Sequence, residues 1–85
     1  MPDYTIVLSK KVQKKLDSFS NYIAEPILLS IADLSKNPRP KGYIKLKGRD
    51  AYRIRSGNYR IIYEIYDDIL LIDIIALGHR KDIYK

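Results

Sequence analysis

The hydrophobic positions change period partway along the chain, dividing it into a helical half and a strand half. Tyr4 to Leu8 is a short run suited to a strand. Ser9 then stands where a helix needs an N-cap, ahead of Val12, Leu16 and Phe19 at the i, i+4, i+7 spacing of one helical face. The other face of that helix carries Lys10, Lys11, Lys14, Lys15 and Asp17. After a break at Ser20-Asn21, a second stripe runs through Ile27, Leu28, Ile31 and Leu34. Proline is tolerated only in the first turn of a helix, so Pro26 predicts a start near Glu25, and Asn37-Pro38 ends the helix. Residues 37–50, NPRPKGYIKLKGRD, read as a long basic loop with a brief extended piece at Tyr43 to Leu46. A loop of that length is functional or mobile.

From residue 51 the signal is that of strands: Ala51 to Ser56, Tyr59 to Tyr66 and Ile69 to Leu77, joined by two-residue turns at Gly57-Asn58 and Asp67-Asp68. The order β-α-α-β-β-β predicts an α+β domain with two N-terminal helices packed on one face of an antiparallel sheet, the first strand pairing within that sheet. With 85 residues, 46% of them apolar, residues 1–85 form one domain with one modest core.

The turns fix a register. Across Gly57-Asn58, Arg55 falls opposite Arg60 and Arg53 opposite Ile62; across Asp67-Asp68, Tyr66 falls opposite Ile69, Ile62 opposite Asp73 and Arg60 opposite Ile75. Alternation then gives one face Arg53, Arg55, Arg60, Ile62, Glu64, Asp73, Ile75 and, if the strand continues, His79. Tyr52, Ile54, Tyr59, Ile61, Tyr63, Ile65, Leu70, Ile72, Ile74 and Ala76 form the floor for the helices. Like charges directly opposite one another cost some tenths of a kcal/mol. Two readings of the arginine face stay open: a site for an anion such as a phosphate diester, or an ion-pair network neutralised by Glu64 and Asp73.

Charge sharpens the first reading. The formal net charge is +6, and Lys36 to Arg60 holds nine basic residues against Asp50 alone, a net of +8 that leaves the remainder at −2. Basic residues interleaved with Tyr43, Tyr52 and Tyr59 are the footprint expected for a phosphate-rich partner, a solvated basic face being the alternative. Lys41, Lys45, Lys47, Arg49 and Arg55 are the candidate contacts to such a partner. No cysteine is present, so neither a disulfide nor a thiolate nucleophile is available, which suits a reducing cytosol. The N-terminal MPDYTIVLSKK lacks the features of a signal peptide, and the apolar stretch from Ile69 to Leu77 is too short to span a bilayer as a helix. A soluble protein that stays in the cytoplasm is expected. One histidine without cysteine cannot close an N/S metal site, and no metal or other cofactor is expected.

His79 follows Gly78 at the end of the last strand, and its ordinary pKa suits proton transfer near neutrality; a structural role is the alternative. Arg80 beside it offers charge stabilisation. Tyr84 offers a ring for stacking or a hydroxyl for a proton, or packs on the sheet edge.

KLKG at 45–48, YRIRSGNYRIIYEI at 52–65 and GHRKDIY at 78–84, with the NPRPKG loop and two preceding helices, resemble the RelE branch of the RelE/ParE toxin superfamily over nearly the whole chain. The resemblance implies a microbial RNase-like fold, a toxin that enters the ribosomal A site and cuts messenger RNA, contacts with mRNA and ribosomal RNA, and a cognate antitoxin that wraps it. Its paired basic positions fall on Arg53 and Arg55, where members often have lysine, its next arginine on Arg60, and its last arginine and tyrosine on Arg80 and Tyr84. Arginine is a poor general base. The implied catalytic set is Arg53, Arg60, His79, Arg80 and Tyr84, acting by metal-independent attack of the RNA 2′-oxygen on the adjacent phosphorus. A ParE-like inhibitor of DNA gyrase that does not cut RNA, and an attenuated toxin acting only as a binding domain, are the alternatives.

Overall fold

The computed structural model describes residues 3–79 and 81. Its element order is β1 (Thr5–Leu8), α1 (Lys10–Ser18), α2 (Asn21–Leu34), β2 (Ile44–Lys45), β3 (Tyr52–Ser56), β4 (Tyr59–Tyr66) and β5 (Leu71–His79). Two helices pack on one face of a five-stranded sheet ordered β1-β5-β4-β3-β2. The expected α+β architecture holds, with one refinement: β1 runs parallel to β5, so the sheet is mixed rather than wholly antiparallel. The α1–α2 pair carries the chain across the sheet before it returns, which lets the first strand lie parallel to the last.

The cap of α1 forms as its sequence dictates, the Val12 amide donating to Ser9 Oγ at 3.2 Å. Helix α2 begins a turn earlier than Pro26 implies, directly after Ser20. Proline removes the amide that would bond to Tyr22, but Tyr22 is 89% exposed, so water can take that carbonyl while Ala24 and Ile27 are buried below. The core joins Val12 and Leu16 of α1, Ile27, Ile31 and Leu34 of α2, and Ile54, Ile61, Tyr63, Ile72, Ile74 and Leu77 of the sheet. Among the described residues, no helix is long and apolar enough to cross a membrane.

The basic 37–50 segment is a built connection. The Tyr63 hydroxyl donates to the Pro38 carbonyl at 2.7 Å, and Arg39 pairs with Asp67 at 2.9 Å, which also accepts from the Tyr4 hydroxyl at 2.6 Å. The brief extended piece expected at 43–46 is β2, and the Leu46 amide closes the β2–β3 hairpin onto Ala51.

The β3–β4 hairpin has the expected register. The β4–β5 pairing differs. Its turn spans four residues, 67–70, with Leu70 at φ 51°, and Tyr66 faces Leu71 rather than Ile69. A bulge then leaves Ile75 between the Tyr63–Ile74 and Ile62–Ala76 pairs. The Leu70 carbonyl accepts from the Thr5 amide at 2.8 Å, so the unusual turn conformation presents an acceptor to β1.

Candidate functional site: an arginine face on the open side of the sheet

The face away from the helices carries Arg53 and Arg55 of β3, Arg60, Ile62, Glu64 and Tyr66 of β4, and Asp73, Ala76 and Gly78 of β5. Arg55 stands directly opposite Arg60, and Arg53 opposite Ile62. The Gly57-Asn58 turn enforces this: Gly57 has φ 61°, the left-handed first position of a tight hairpin turn, and one residue of slip would send every side chain to the other face. Arg55 is exposed, whereas Arg53 and Arg60 are half-buried with their Nε atoms shielded from water. Guanidinium groups in such a setting lose part of their hydration and feel neighbouring charges more strongly.

The β4–β5 register moves the acids from their expected partners. Asp73 lies opposite Glu64, not opposite Ile62, and the place across from Arg60 belongs to Gly78, not Ile75. Glu64 accepts from the Tyr66 hydroxyl at 2.9 Å, a bond that raises the pKa of Tyr66. Glu64 and Asp73 thus face each other on the sheet face that also carries the arginines.

The bulge also moves His79. Expected on the arginine face, it instead pairs with Tyr59, and the two rings meet edge to face at 5.6 Å, Tyr59 packing in turn on Phe19 at 5.1 Å. An extra residue at Ile75 inverts the alternation, placing Leu77 and His79 on the helix side and Ala76 and Gly78 among the arginines. His79 Nδ1 accepts from the Lys81 amide at 3.3 Å. Ala76, expected on the floor beneath the helices, and Leu70, expected there as a strand residue, are likewise displaced. Arg80 and Tyr84 lie outside the described residues.

Of the remaining expected contacts, Lys41, Lys45, Lys47 and Arg49 are all exposed along β2 and its flanking loops. Arg39 belongs to the fold: its bond to Asp67 raises the guanidinium's pKa, and the same bond first, then Tyr4, holds the Asp67 carboxyl below its ordinary value. Its guanidinium also lies 5.7 Å from the centre of the Tyr52 ring. Sequence reasoning missed a cavity of about 430 Å³ at the outer edge of β3, reached by Ser30 and Asp33 of α2 as well as by Arg53 and Arg55. A signal was available: Asp33 occupies the last turn of α2, where the helix dipole disfavours an acid.

Residues 6–84 match the family model described as ParE toxin of type II toxin-antitoxin system, parDE. Toxin RelG of Mycobacterium tuberculosis is 26% identical over 84 residues, spanning 96% of this chain and 97% of that protein. The mRNA interferase toxin RelE of Escherichia coli is 25% identical over 81 residues, spanning 92% of this chain and 84% of that protein. Among solved structures, the archaeal RelE-RelB complex from Pyrococcus horikoshii superposes with a TM-score of 0.83 at 31% identity, covering 94% of this chain and 98% of that one. The chain belongs to the RelE/ParE family of toxins from type II toxin-antitoxin systems.

Proposed function

We propose that the protein is a ribosome-dependent endoribonuclease that cuts messenger RNA in the A site by metal-independent transesterification. The observation that carries this reading is the direct opposition of Arg55 and Arg60, with Arg53 beside them, on the sheet face the helices leave free. The RNA 2′-oxygen forms a bond to the adjacent phosphorus as its proton passes to a base. The bond from phosphorus to the 5′-oxygen breaks, and that oxygen takes a proton from an acid. A 2′,3′-cyclic phosphate and a 5′-hydroxyl result. Guanidinium forks at Arg53, Arg55 and Arg60 hold the charge that builds on the phosphoryl oxygens. Arginine does not release its proton, so proton transfer falls to another group. The family resemblance supplies Tyr84 for this, with Arg80 as a further positive charge. The position of His79 against Tyr59 favours a packing role for that residue. Lys41, Lys45, Lys47 and Arg49 would meet RNA phosphates.

The same reading includes a cognate antitoxin. Support comes from the RelE relative solved with RelB, from exposed apolar residues on α2 at Tyr22, Leu28 and Leu29, and from the exposed lysines of α1. A partner segment both acidic and apolar fits these surfaces, with binding that weakens as salt rises. The toxin would work in the cytoplasm, where ribosomes are.

The family model's ParE description favours a second reading, inhibition of DNA gyrase without RNA cleavage. Primer extension on a message in a translating extract separates the two. Cuts within A-site codons that disappear with Arg60→Ala support the ribonuclease. An intact message with trapped or damaged DNA supports the gyrase inhibitor.

A further inference from the structure

β2 is two residues long and pairs only with Tyr52 and Arg53. Among the described residues, the outer edge of β3 from Ile54 to Ser56 therefore has no strand beside it, and the cavity of about 430 Å³ opens there. It is lined from both sides of the sheet. Ile44, Arg53 and Arg55 belong to the arginine face and Ile54 to the helix face, with Ser30 and Asp33 reaching in from α2. Gly42 contributes a wall, its φ of 94° closing a turn in which the Tyr43 amide donates to the Pro40 carbonyl at 3.0 Å. The notch thus joins the arginine site to a slot with an apolar floor, Ser30 and Asp33 from α2, and Lys41 from the loop.

We propose that this notch is a nucleobase subsite, which takes the base next to the phosphate held by Arg53 and Arg55 and selects for an exocyclic amino group through Asp33 and Ser30. The inference rests on the ribonuclease reading for its place in the reaction. Its chemistry rests on the cavity alone. The volume exceeds that of a purine, and Ile54 and Ile44 offer apolar contact to its faces. Asp33 sits where it weakens its own helix, in a last turn that has no basic residue to offset the dipole. Ionised, it can only accept hydrogen bonds, which an amino group of adenine, cytosine or guanine donates. Uracil offers a single ring N–H between two carbonyl oxygens, and those oxygens would face the carboxylate. The Ser30 hydroxyl donates or accepts and so tolerates any of the three amino-bearing bases. Arg53 and Arg55 fix the neighbouring phosphate, which positions the base without reading it.

The test maps cleavage sites across a transcript library in a translating extract for the wild type, Asp33→Asn, Ser30→Ala and Arg60→Ala. It is paired with amide chemical-shift titrations of the folded protein with adenosine, cytidine, guanosine and uridine monophosphates. Expected are cuts depleted about tenfold where uracil stands at one position beside the cut. Asp33→Asn should erase that depletion, because an amide can also donate, while overall cutting persists. Shifts at Gly42 and Ile54 should be larger with the amino-bearing nucleotides than with uridine monophosphate. Arg60→Ala should abolish cutting yet leave those shifts unchanged. Cutting by the wild type with a site profile unaltered in Asp33→Asn would overturn the subsite and leave the ribonuclease standing. Selective shifts at Gly42 and Ile54 without any cutting would uphold the base site and remove the ribonuclease. Equal or absent shifts for all four nucleotides would overturn the subsite by themselves.

Discussion

Arg55 and Arg60 face each other directly across the β3–β4 hairpin, two positive side chains at a pairing where folding alone would favour opposite charges or apolar contact. Like charges placed opposite one another on paired strands oppose pairing by some tenths of a kcal/mol. Replacing Arg55 with threonine, a good strand residue, should leave the urea midpoint unchanged or raise stability by some tenths of a kcal/mol. RNA cleavage should fall about 100-fold, as when one donor to a developing negative charge is lost. Equilibrium unfolding and primer extension on the same preparation check both halves, and a strongly destabilised variant would remove the argument.

His79→Ala should cut within a few-fold of the wild type, because the ring packs on Tyr59 at the helix side. The variant should instead show a modest loss of stability as the edge-to-face contact disappears. A loss of cleavage as deep as that of Arg60→Ala, in a protein of unchanged melting behaviour, would return His79 to the chemistry.

Tyr63 is fully buried, and its hydroxyl holds the Pro38 carbonyl at 2.7 Å. Tyr63→Phe should cost about 1 to 2 kcal/mol, since the ring remains but the carbonyl loses its partner. Burial pushes the phenol up to about 12 from 10.0. A raised folded-state pKa means that this contribution is complete below pH 10 and declines as pH rises toward 12. The wild type should therefore lose stability over that range, and Tyr63→Phe should lose less of it, as read by circular dichroism against urea.

Asp67 takes bonds from both Arg39 and Tyr4, and its pKa lies below 3.8 in the folded protein. The lowered pKa places its contribution fully above the ordinary carboxyl value, to be lost as pH falls through the folded value. The pair is exposed, so Asp67→Asn should produce a small loss at neutral pH that shrinks with added salt. Comparing thermal midpoints at low and high salt, and again at acid pH, checks the sign.

Wherever local rules were sufficient, the amino-acid sequence determined the structure. Ser9 caps α1 and Gly57-Asn58 turns the β3–β4 hairpin, so the facing arginines follow from a turn two residues long and the alternation beside it. The chain's family was legible for the same reason, since its motifs lie on these local elements. The last strand was different. From Ile69 to Leu77 nearly every residue is apolar, so alternation cannot say which side faces the core. Tertiary structure decided it: parallel pairing with β1, the left-handed Leu70, and burial of Ile72, Ile74 and Leu77 beneath two helices require a longer turn and a bulge at Ile75. That one extra residue carried His79 away from the arginines and set Gly78 across from Arg60. A side chain's face depends on counting residues in twos, and only the packed core fixes where the count begins.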